Sequence, residues 1–293
     1  MNDIGAGGGT VSMKNTNILP ELLFEDREHK LEDVLSESEM FDFPVCDGAL
    51  WGQIMRPDGS FQGKRPCVIV LHGFPGGNRN DDIAHALCRI GCVVLILHHR
   101  GAWGSPGKYL VSNCIEDIKQ LAEHVRSCQF GEAYQVDPNA VYLLGHSMGG
   151  NNALNAGKEL PWLRGLILLA PYDSTCYIRS GEPERLMDLM KDGAKYLNCD
   201  GAEAMFVDIL QHAREWNFEK AAEAMKEQNL LILSGAYDDV APEKDMVLPL
   251  WNAVQEAKGK GIQRHCSYPA GHALLGCRVM ALREVVQFLK DTL

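Results

Sequence analysis

Short apolar runs alternate with amphipathic segments along most of the chain. Runs of this length are too short for helices, and continuous apolar composition is typical of strands buried on both faces of a sheet. The runs lie at residues 67–71, 93–97, 141–144, 166–170 and 230–234, and a further strand is predicted at residues 264–268. The intervening segments have helical spacing at residues 81–90, 113–127, 151–157, 244–257 and 278–289. Because strands that alternate with helices form mostly parallel sheets with right-handed crossovers, the pattern predicts an α/β fold with a central sheet flanked by helices.

The N-terminal part departs from this alternation. Residues 1–17 are rich in glycine and polar residues, which predicts a disordered leader. Residues 20–40 are acidic with scattered leucines and predict a helix lying on the body of the protein. Asp47-Gly48 between two apolar segments predicts an antiparallel hairpin over residues 41–55, at an edge of the sheet.

A second departure lies between two predicted strands. Residues 172–228 have helical composition without a strand, and the segment is too long for a crossover. We therefore predict a helical cap, or lid, over residues 172–228, inserted into a core formed by residues 18–171 and 229–293. Its apolar residues recur at helical spacing: Leu186, Met187, Leu189, Met190, Tyr196, Met205, Phe206, Ile209 and Leu210. One interpretation makes Met205 and Phe206 substrate-binding residues, and the other makes the stripes ordinary packing surfaces.

Composition and charge exclude several classes of function. The net charge of −11 disfavours nucleic acid and anionic membranes as partners. No Cys-x-x-Cys pair occurs among the 10 cysteines, which disfavours a zinc site. We expect no metal and no other cofactor. The chain has no apolar run of membrane length, so we expect no membrane insertion, and its first residues do not resemble a signal peptide. These features favour a cytoplasmic location, with monomer and homo-oligomer both left open.

The candidate chemistry begins at Gly145-x-Ser147-x-Gly149, between a predicted strand and a predicted helix. This is the context of a nucleophile elbow, a sharp turn that presents a serine hydroxyl at the carboxyl end of a sheet. The alternative is a glycine-rich strand–helix turn in which Ser147 caps the helix. The motif alone does not decide between these two interpretations.

The partners that a serine nucleophile needs follow two later strands. Asp238 comes after the strand at 230–234, and His272 comes after the strand at 264–268. Each has an ordinary alternative, a turn residue or helix cap for Asp238 and a backbone-bound loop residue for His272. Their order after Ser147 predicts a catalytic triad of nucleophile, acid and base. The backbone amides of Phe74 and Met148 are the candidate oxyanion hole, since Pro75 has no N–H.

Over residues 41–293 the chain resembles the α/β-hydrolases. The motifs are His72-Gly-Phe-Pro-Gly, Gly145-x-Ser147-x-Gly149, Gly235-x-x-Asp238 with Pro242, and Gly271-His272. The resemblance implies an α/β-hydrolase fold and selects Asp238 rather than Asp239 as the acid. Within the superfamily the chain is similar to bacterial esterases that include feruloyl esterases, and to prolyl-oligopeptidase-like hydrolases without a propeller.

One departure from the family is that His98-His99 precede Arg100-Gly101, where many relatives have an aspartate. We interpret His98 and His99 as structural, although they could line the pocket. The histidines outside the motifs, His265 among them, have no cluster around them in the sequence and predict no function.

The resemblance implies a serine hydrolase that cleaves a small-molecule carboxylic ester through an acyl-enzyme intermediate. The same triad would serve a peptidase or amidase, or an acyltransferase, and the sequence does not separate these activities. A ligand-binding protein that has lost catalysis is a further alternative. It is disfavoured because Ser147, Asp238 and His272 are all present.

Overall fold

A computed structural model of the protein describes residues 18–29, 33–45 and 48–293. The predicted leader at 1–17 and Asp47 of the predicted hairpin turn lie outside these residues. The strands form one sheet in the order β1-β2-β4-β3-β5-β6-β7-β8. Their bounds are β1 Glu37–Val45, β2 Gly48–Arg56, β3 Arg65–Leu71, β4 Val93–Leu97, β5 Val136–His146, β6 Gly165–Leu169, β7 Asn229–Gly235 and β8 Gln263–Tyr268.

The sheet is parallel from β4 through β8, and only β2 runs against its neighbours β1 and β4. Strands β3 to β7 are almost entirely buried because helices cover both faces. The predicted α/β-hydrolase fold with an antiparallel N-terminal hairpin is therefore confirmed.

The helices divide between the two faces of the sheet. Their bounds are α1 Asp81–Arg89, α2 Val111–Arg126, α3 Cys128–Ala133, α4 Met148–Gly157, α5 Cys176–Ser180, α6 Pro183–Ala194, α7 Ala202–His212, α8 Phe218–Met225, α9 Leu248–Ala257 and α10 Arg278–Thr292. Along β3, Cys67, Ile69 and Leu71 point into a core shared with α2, α4 and α9, whereas Val68 and Val70 point towards α1 and α10. This alternation follows the two-residue period of a strand.

The acidic segment near the N-terminus differs from its prediction. Pro20–Phe24 is a short 3-10 helix, and Glu37–Met40 belong to strand β1. Leu23 is buried, but Leu35 is 54% exposed, so these leucines do not form one apolar stripe. The predicted helix over residues 20–40 is therefore wrong, because a helix of that length needs a continuous face to bury.

The order of the strands determines where a site can form. Strand β3 lies between β4, the next strand in sequence, and β5, so the direction of the chain across the sheet reverses between β3 and β5. In open parallel sheets the crevice beyond the carboxyl ends of the strands at such a point is the usual ligand site. None of the described helices is long and apolar enough to cross a membrane.

Candidate active site

Ser147 occupies a sharp turn between β5 and α4. Its φ of 57° lies in the left-handed region that residues with a side chain rarely adopt. The turn is fixed to the sheet because the Ser147 N–H donates to the Leu169 carbonyl oxygen at 2.9 Å. A Cβ at Gly149 would collide with the carbonyl oxygens of Leu71 and His72, so this position requires glycine. The Ser147 side chain makes no helix-capping bond, which argues against the cap interpretation.

The structure brings Ser147, His272 and Asp238 together in one hydrogen-bonded chain. The His272 Nδ1–H donates to Asp238 Oδ2 at 2.8 Å. The Ser147 hydroxyl donates to His272 Nε2, also at 2.8 Å. Because Nδ1 carries the proton, Nε2 has a free lone pair facing the hydroxyl. This arrangement can remove a proton from Ser147 as its oxygen attacks an electrophile.

Asp238 is held on both of its carboxylate oxygens. Oδ2 accepts from His272, and Oδ1 accepts from the backbone N–H groups of Val240 and Ala241 at 2.9 and 2.8 Å. The side chain is buried, whereas the neighbouring Asp239 is exposed. Of the two carboxylates, only that of Asp238 is in contact with the imidazole.

The candidate oxyanion amides lie on either side of the crevice between β3 and β5. Met148 is the first residue of α4, and the first N–H groups of a helix have no partner within it. Phe74 follows β3, and its amide donates to no acceptor among residues 18–29, 33–45 and 48–293. Residues 72–80, between β3 and α1, form a loop that we call the Phe74 loop. A Cβ on Gly73 would come within 2.9 Å of the Ser147 Cβ, so this loop begins directly beside the nucleophile. Both amides are therefore available to an oxygen bound near Ser147.

Two buried histidines support this arrangement without carrying charge. The His72 Nδ1–H donates to the Gly73 carbonyl at 2.8 Å, and the His146 Nε2–H donates to the His272 carbonyl at 3.0 Å. Burial lowers the pKa of His72 to about 4, and burial with the adjacent His272 lowers the pKa of His146 to about 4. Both are neutral at neutral pH, so neither opposes a positive charge that develops on His272.

His98 and His99 are buried next to this layer. The His99 backbone N–H donates to His72 Nε2 at 3.2 Å, and their rings meet edge to face. Burial holds the pKa of His99 well below its usual range. His98 Nε2 lies 3.0 Å from Arg79 Nη1. These contacts favour the structural interpretation of both residues.

The helical segment between β6 and β7 contains α5 to α8 and, within residues 172–228, no strand. Asn198 fixes it to the loop after β4, through hydrogen bonds of 2.8 Å to Gly101, Gly107 and Tyr109. Met205 is fully buried in the main core, and Phe206 packs partly buried against it. This placement favours a packing role for Met205, while substrate binding by Phe206 stays a prediction.

Sequence reasoning missed two groups of residues. Trp103 and Tyr196 are large exposed aromatic residues beside the Phe74 loop, and neither belongs to a motif. Ser234, Glu243 and His265 form a second cluster of serine, carboxylate and histidine at the carboxyl end of β7. The expectation that His265 has no cluster around it is wrong, because residues 31 positions apart in sequence are adjacent on parallel strands β7 and β8.

No group of three or more His, Cys, Asp or Glu side chains in the described parts of the chain is placed to hold a metal ion.

Known proteins match parts of this sequence. A sequence model of the family described as serine aminopeptidase, S33 matches residues 62–192. Monoglyceride lipase of Rattus norvegicus is 31% identical over 152 residues, 51% of this chain and 46% of that enzyme. Monoglyceride lipase of Mus musculus is 28% identical over the same shares. The matched segment thus spans about half the length of these relatives.

The structural similarity covers more of the chain. Brefeldin A esterase, described as a bacterial homologue of human hormone sensitive lipase, superposes with a TM-score of 0.65. The superposition covers 92% of this chain and 81% of the esterase at 18% sequence identity, so it shows the fold alone. Taken with the sheet order and the elbow, these similarities show that the chain has the α/β-hydrolase fold.

Proposed function

We propose that the protein is a serine hydrolase that cleaves carboxylic esters through an acyl-enzyme intermediate on Ser147. The observation that supports the proposal is the continuous chain from the Ser147 hydroxyl through His272 to Asp238, with 2.8 Å at each link. In this proposal Ser147 is the nucleophile, His272 the general base and acid, and Asp238 the acid that orients the imidazole.

In the acylation step Ser147 Oγ attacks the ester carbonyl carbon while its proton passes to His272 Nε2. The carbonyl oxygen becomes an oxyanion and accepts hydrogen bonds from the amides of Phe74 and Met148. Asp238 remains ionised and stabilises the imidazolium. When the tetrahedral intermediate collapses, the bond to the alcohol oxygen breaks and His272 donates its proton to that leaving oxygen.

Deacylation repeats these steps with water in place of the serine. His272 removes a proton from the water as the water oxygen attacks the acyl carbon. The amides of Phe74 and Met148 again donate hydrogen bonds to the oxyanion that forms. Collapse of this second intermediate releases the carboxylic acid and returns the proton to Ser147 Oγ. An acyltransferase would differ only in this deacylation step, because an alcohol would take the place of water.

The choice of esters over peptides rests on the relatives. Two matched relatives are named monoglyceride lipases and a structural neighbour is an esterase, which favours an ester substrate. The family description, serine aminopeptidase, favours a peptidase or amidase as the second candidate. Within the esters, the motif resemblance to feruloyl esterases adds hydroxycinnamoyl esters as a finer proposal.

A two-part experiment tests the proposal. A fluorophosphonate probe followed by tryptic mass spectrometry should place the adduct on Ser147, and Ser147→Ala should remain unlabelled. The wild-type enzyme is then assayed with methyl esters of increasing acyl length, monoacylglycerols, methyl ferulate and aminoacyl anilides. We expect ester turnover to exceed anilide turnover.

Each contrary result selects a different alternative. An adduct on another residue would contradict the assigned nucleophile. Preferential cleavage of anilides would make the protein a peptidase, and ester formation in the presence of an added alcohol would indicate an acyltransferase. Absence of both labelling and turnover would support a non-catalytic binding protein.

A further inference from the structure

An apolar cleft lies beside the Phe74 loop, on the surface between the sheet and the α5–α8 segment. Its volume is about 360 Å³, within the range of roughly 300 to 1,000 Å³ that small-molecule pockets have. It is lined by Pro75, Gly76, Gly77, Trp103 and Tyr196. No charged residue contributes to this lining. The cleft therefore suits an apolar ligand.

Two exposed aromatic residues form the cleft together with the loop backbone. Trp103 comes from the loop after β4 and is 48% exposed, and Tyr196 follows α6 and is 76% exposed. Large apolar side chains left exposed together often mark a binding site, because covering them removes apolar surface from water. Aromatic rings also favour planar partners, since a planar group can stack on the ring face or meet its edge.

Trp103 is held in its position by a cation–π contact with Arg79. The Arg79 guanidinium lies 4.9 Å from its ring centroid, and Arg79 is itself fixed by Asp81 at 2.6 Å and His98 at 3.0 Å. The Trp103 backbone has a φ of 49°, which is strained for a bulky residue. A residue held in a strained conformation and kept half exposed is more readily explained by ligand binding than by packing.

The loop that lines the cleft begins beside the nucleophile. A Cβ on Gly73 would lie 2.9 Å from the Ser147 Cβ, and a Cβ on Gly76 would lie 2.8 Å from Trp103 Nε1. Gly73 and Pro75 are two residues apart, so their Cα atoms are separated by about 7 Å at most. A substrate of moderate length can therefore have its carbonyl at Ser147 and its end in the cleft.

We propose that this cleft binds the planar aromatic or conjugated part of the ester, between Trp103 and Tyr196. The proposal rests on the proposed function, because it takes Ser147 as the point of reaction. It makes aryl and arylalkenoyl esters the preferred substrate class. Trp103 and Tyr196 are specificity residues in this proposal and take no part in bond breaking.

Binding to the Ser147→Ala variant tests the cleft without requiring hydrolysis. Methyl cinnamate is titrated by ligand-detected NMR beside methyl 3-cyclohexylpropanoate, an apolar ester whose ring is not planar. We expect methyl cinnamate to bind more tightly. Trp103→Leu or Tyr196→Leu, added to Ser147→Ala, should weaken its binding on the order of tenfold. Tyr196→Leu is the safer variant for folding because its side chain is largely exposed.

Matched control variants separate the cleft from general effects. Trp162 also lies under a guanidinium, that of Arg126 at 4.6 Å, but it precedes β6 at the opposite end of the sheet. Leu210 is a 48% exposed apolar residue on α7 that does not line the cleft. Trp162→Leu and Leu210→Ala should change the affinity for methyl cinnamate less than twofold.

Kinetics with the otherwise wild-type protein distinguishes the two sides of the ester. Methyl cinnamate against methyl hexanoate tests an aromatic acyl group, and phenyl acetate against ethyl acetate tests an aromatic alcohol. Trp103→Leu and Tyr196→Leu should lower kcat/KM for the aromatic member of at least one pair by roughly tenfold. The aliphatic member should change little.

The cleft proposal is overturned if methyl cinnamate binds no better than the cyclohexyl ester, or if both cleft variants bind it as Ser147→Ala alone does. A protein without phosphonate labelling or turnover would count against the proposed function only. In that case the binding measurement still decides whether the cleft takes planar groups.

Discussion

In the part of the chain that the structure describes, two clusters of serine, histidine and carboxylate lie at the carboxyl end of the sheet. The first is Ser147, His272 and Asp238, and the second is Ser234, His265 and Glu243. They contain the same chemical groups at similar hydrogen-bonding distances. They differ in how the histidine is used.

In the first cluster the histidine lies between its two partners. Nδ1–H donates to Asp238, which leaves Nε2 free to accept the Ser147 proton. In the second cluster the Ser234 hydroxyl donates to Glu243 Oε1 at 2.6 Å, and a hydroxyl has only one proton to donate. His265 Nε2, 2.7 Å from Ser234 Oγ, must therefore donate its own proton and cannot act as a base for the serine.

The surroundings of the two serines differ as well. Ser147 lies at a turn with φ 57°, next to the first amides of a helix. Ser234 lies within strand β7, where its backbone amide belongs to the sheet, and is 1% exposed. The proposed nucleophile needs a free lone pair on its histidine and helix N-terminal amides beside the serine, and of the two clusters the first combines these features. Residue types alone therefore do not identify a catalytic site.

The strongest way to test this comparison is to remove each serine in turn. Ser147→Ala should lower kcat by roughly 10⁴-fold or more, because the acyl-enzyme cannot form. Ser234→Ala should leave kcat/KM within a few-fold and lower the free energy of unfolding by roughly 1 to 3 kcal/mol, because Glu243 and His265 lose a buried partner. Ester turnover and urea unfolding measure the two effects. Similar losses of activity in both variants would contradict the distinction.

Removing the carboxylate charge is the next largest test. Asp238→Asn should lower kcat by about 10⁴-fold, because the His272 tautomer and the stabilisation of its imidazolium are both lost. The exposed neighbour provides a matched control, and Asp239→Asn should change kcat less than twofold. If Asp239→Asn were the damaging substitution, the assignment of Asp238 as the acid would be wrong.

Two buried histidines beside the first cluster, His72 and His146, also predict that the protein is destabilised by acid. The pKa of His72 is lowered by burial from 6.5 to about 4, and that of His146 is lowered to about 4 by burial and by His272. Between pH 6.5 and 4 the unfolded chain binds more protons than the folded protein, so stability falls as the pH falls through this window. Each histidine should cost on the order of 2 kcal/mol between pH 7 and pH 5.

Urea unfolding of the wild type and of His72→Gln at pH 7 and pH 5 measures the contribution of one histidine. The variant should lose about 2 kcal/mol less than the wild type between these two pH values. Its stability at pH 7 serves as the reference, so a loss of packing does not affect the comparison. Equal losses in both proteins would show that His72 does not titrate in this window.

The sequence predicted those parts of the fold in which local pattern and burial agree. Strand β4 was predicted at its observed bounds, Val93–Leu97, because both of its faces are buried and every residue is apolar. The predicted helix over residues 20–40 was wrong. Scattered leucines can resemble the apolar face of a helix in the sequence, but in the structure they do not share one buried face. The start of β5 at Val136 was missed, because residues 137–139 are Asp-Pro-Asn, which is typical of a turn, and lie in a partly exposed extension of the strand.

The candidate site was predicted to the extent that it lies in motifs with fixed spacing. Ser147, Asp238 and His272 each follow a strand, and the ends of parallel strands meet at one edge of a sheet. Trp103 is in a loop without periodicity, and Tyr196 belongs to the helical pattern of the predicted lid but lies in a turn after α6. Their proximity depends on how the α5–α8 segment packs. Contacts between residues that are far apart in the chain depend on the three-dimensional fold, and they cannot be inferred from the pattern of one sequence.

The smallest expected effect concerns Glu243, which sharpens the comparison because this carboxylate supports the loop that carries Asp238. Glu243 accepts from Ser234 on β7 and, at 3.0 Å, from Ser267 on β8. It thereby fixes the end of the loop in which Val240 and Ala241 hold Asp238.

Glu243→Gln keeps an acceptor oxygen but loses the charge, so we expect kcat to fall less than tenfold with a modest loss of thermal stability. Ser267→Ala, which removes one more exposed contact, should have a smaller effect on both. We would measure kcat and Tm for these variants and for Asp238→Asn. If Glu243→Gln lowered kcat as much as Asp238→Asn does, the second cluster would take part in the chemistry.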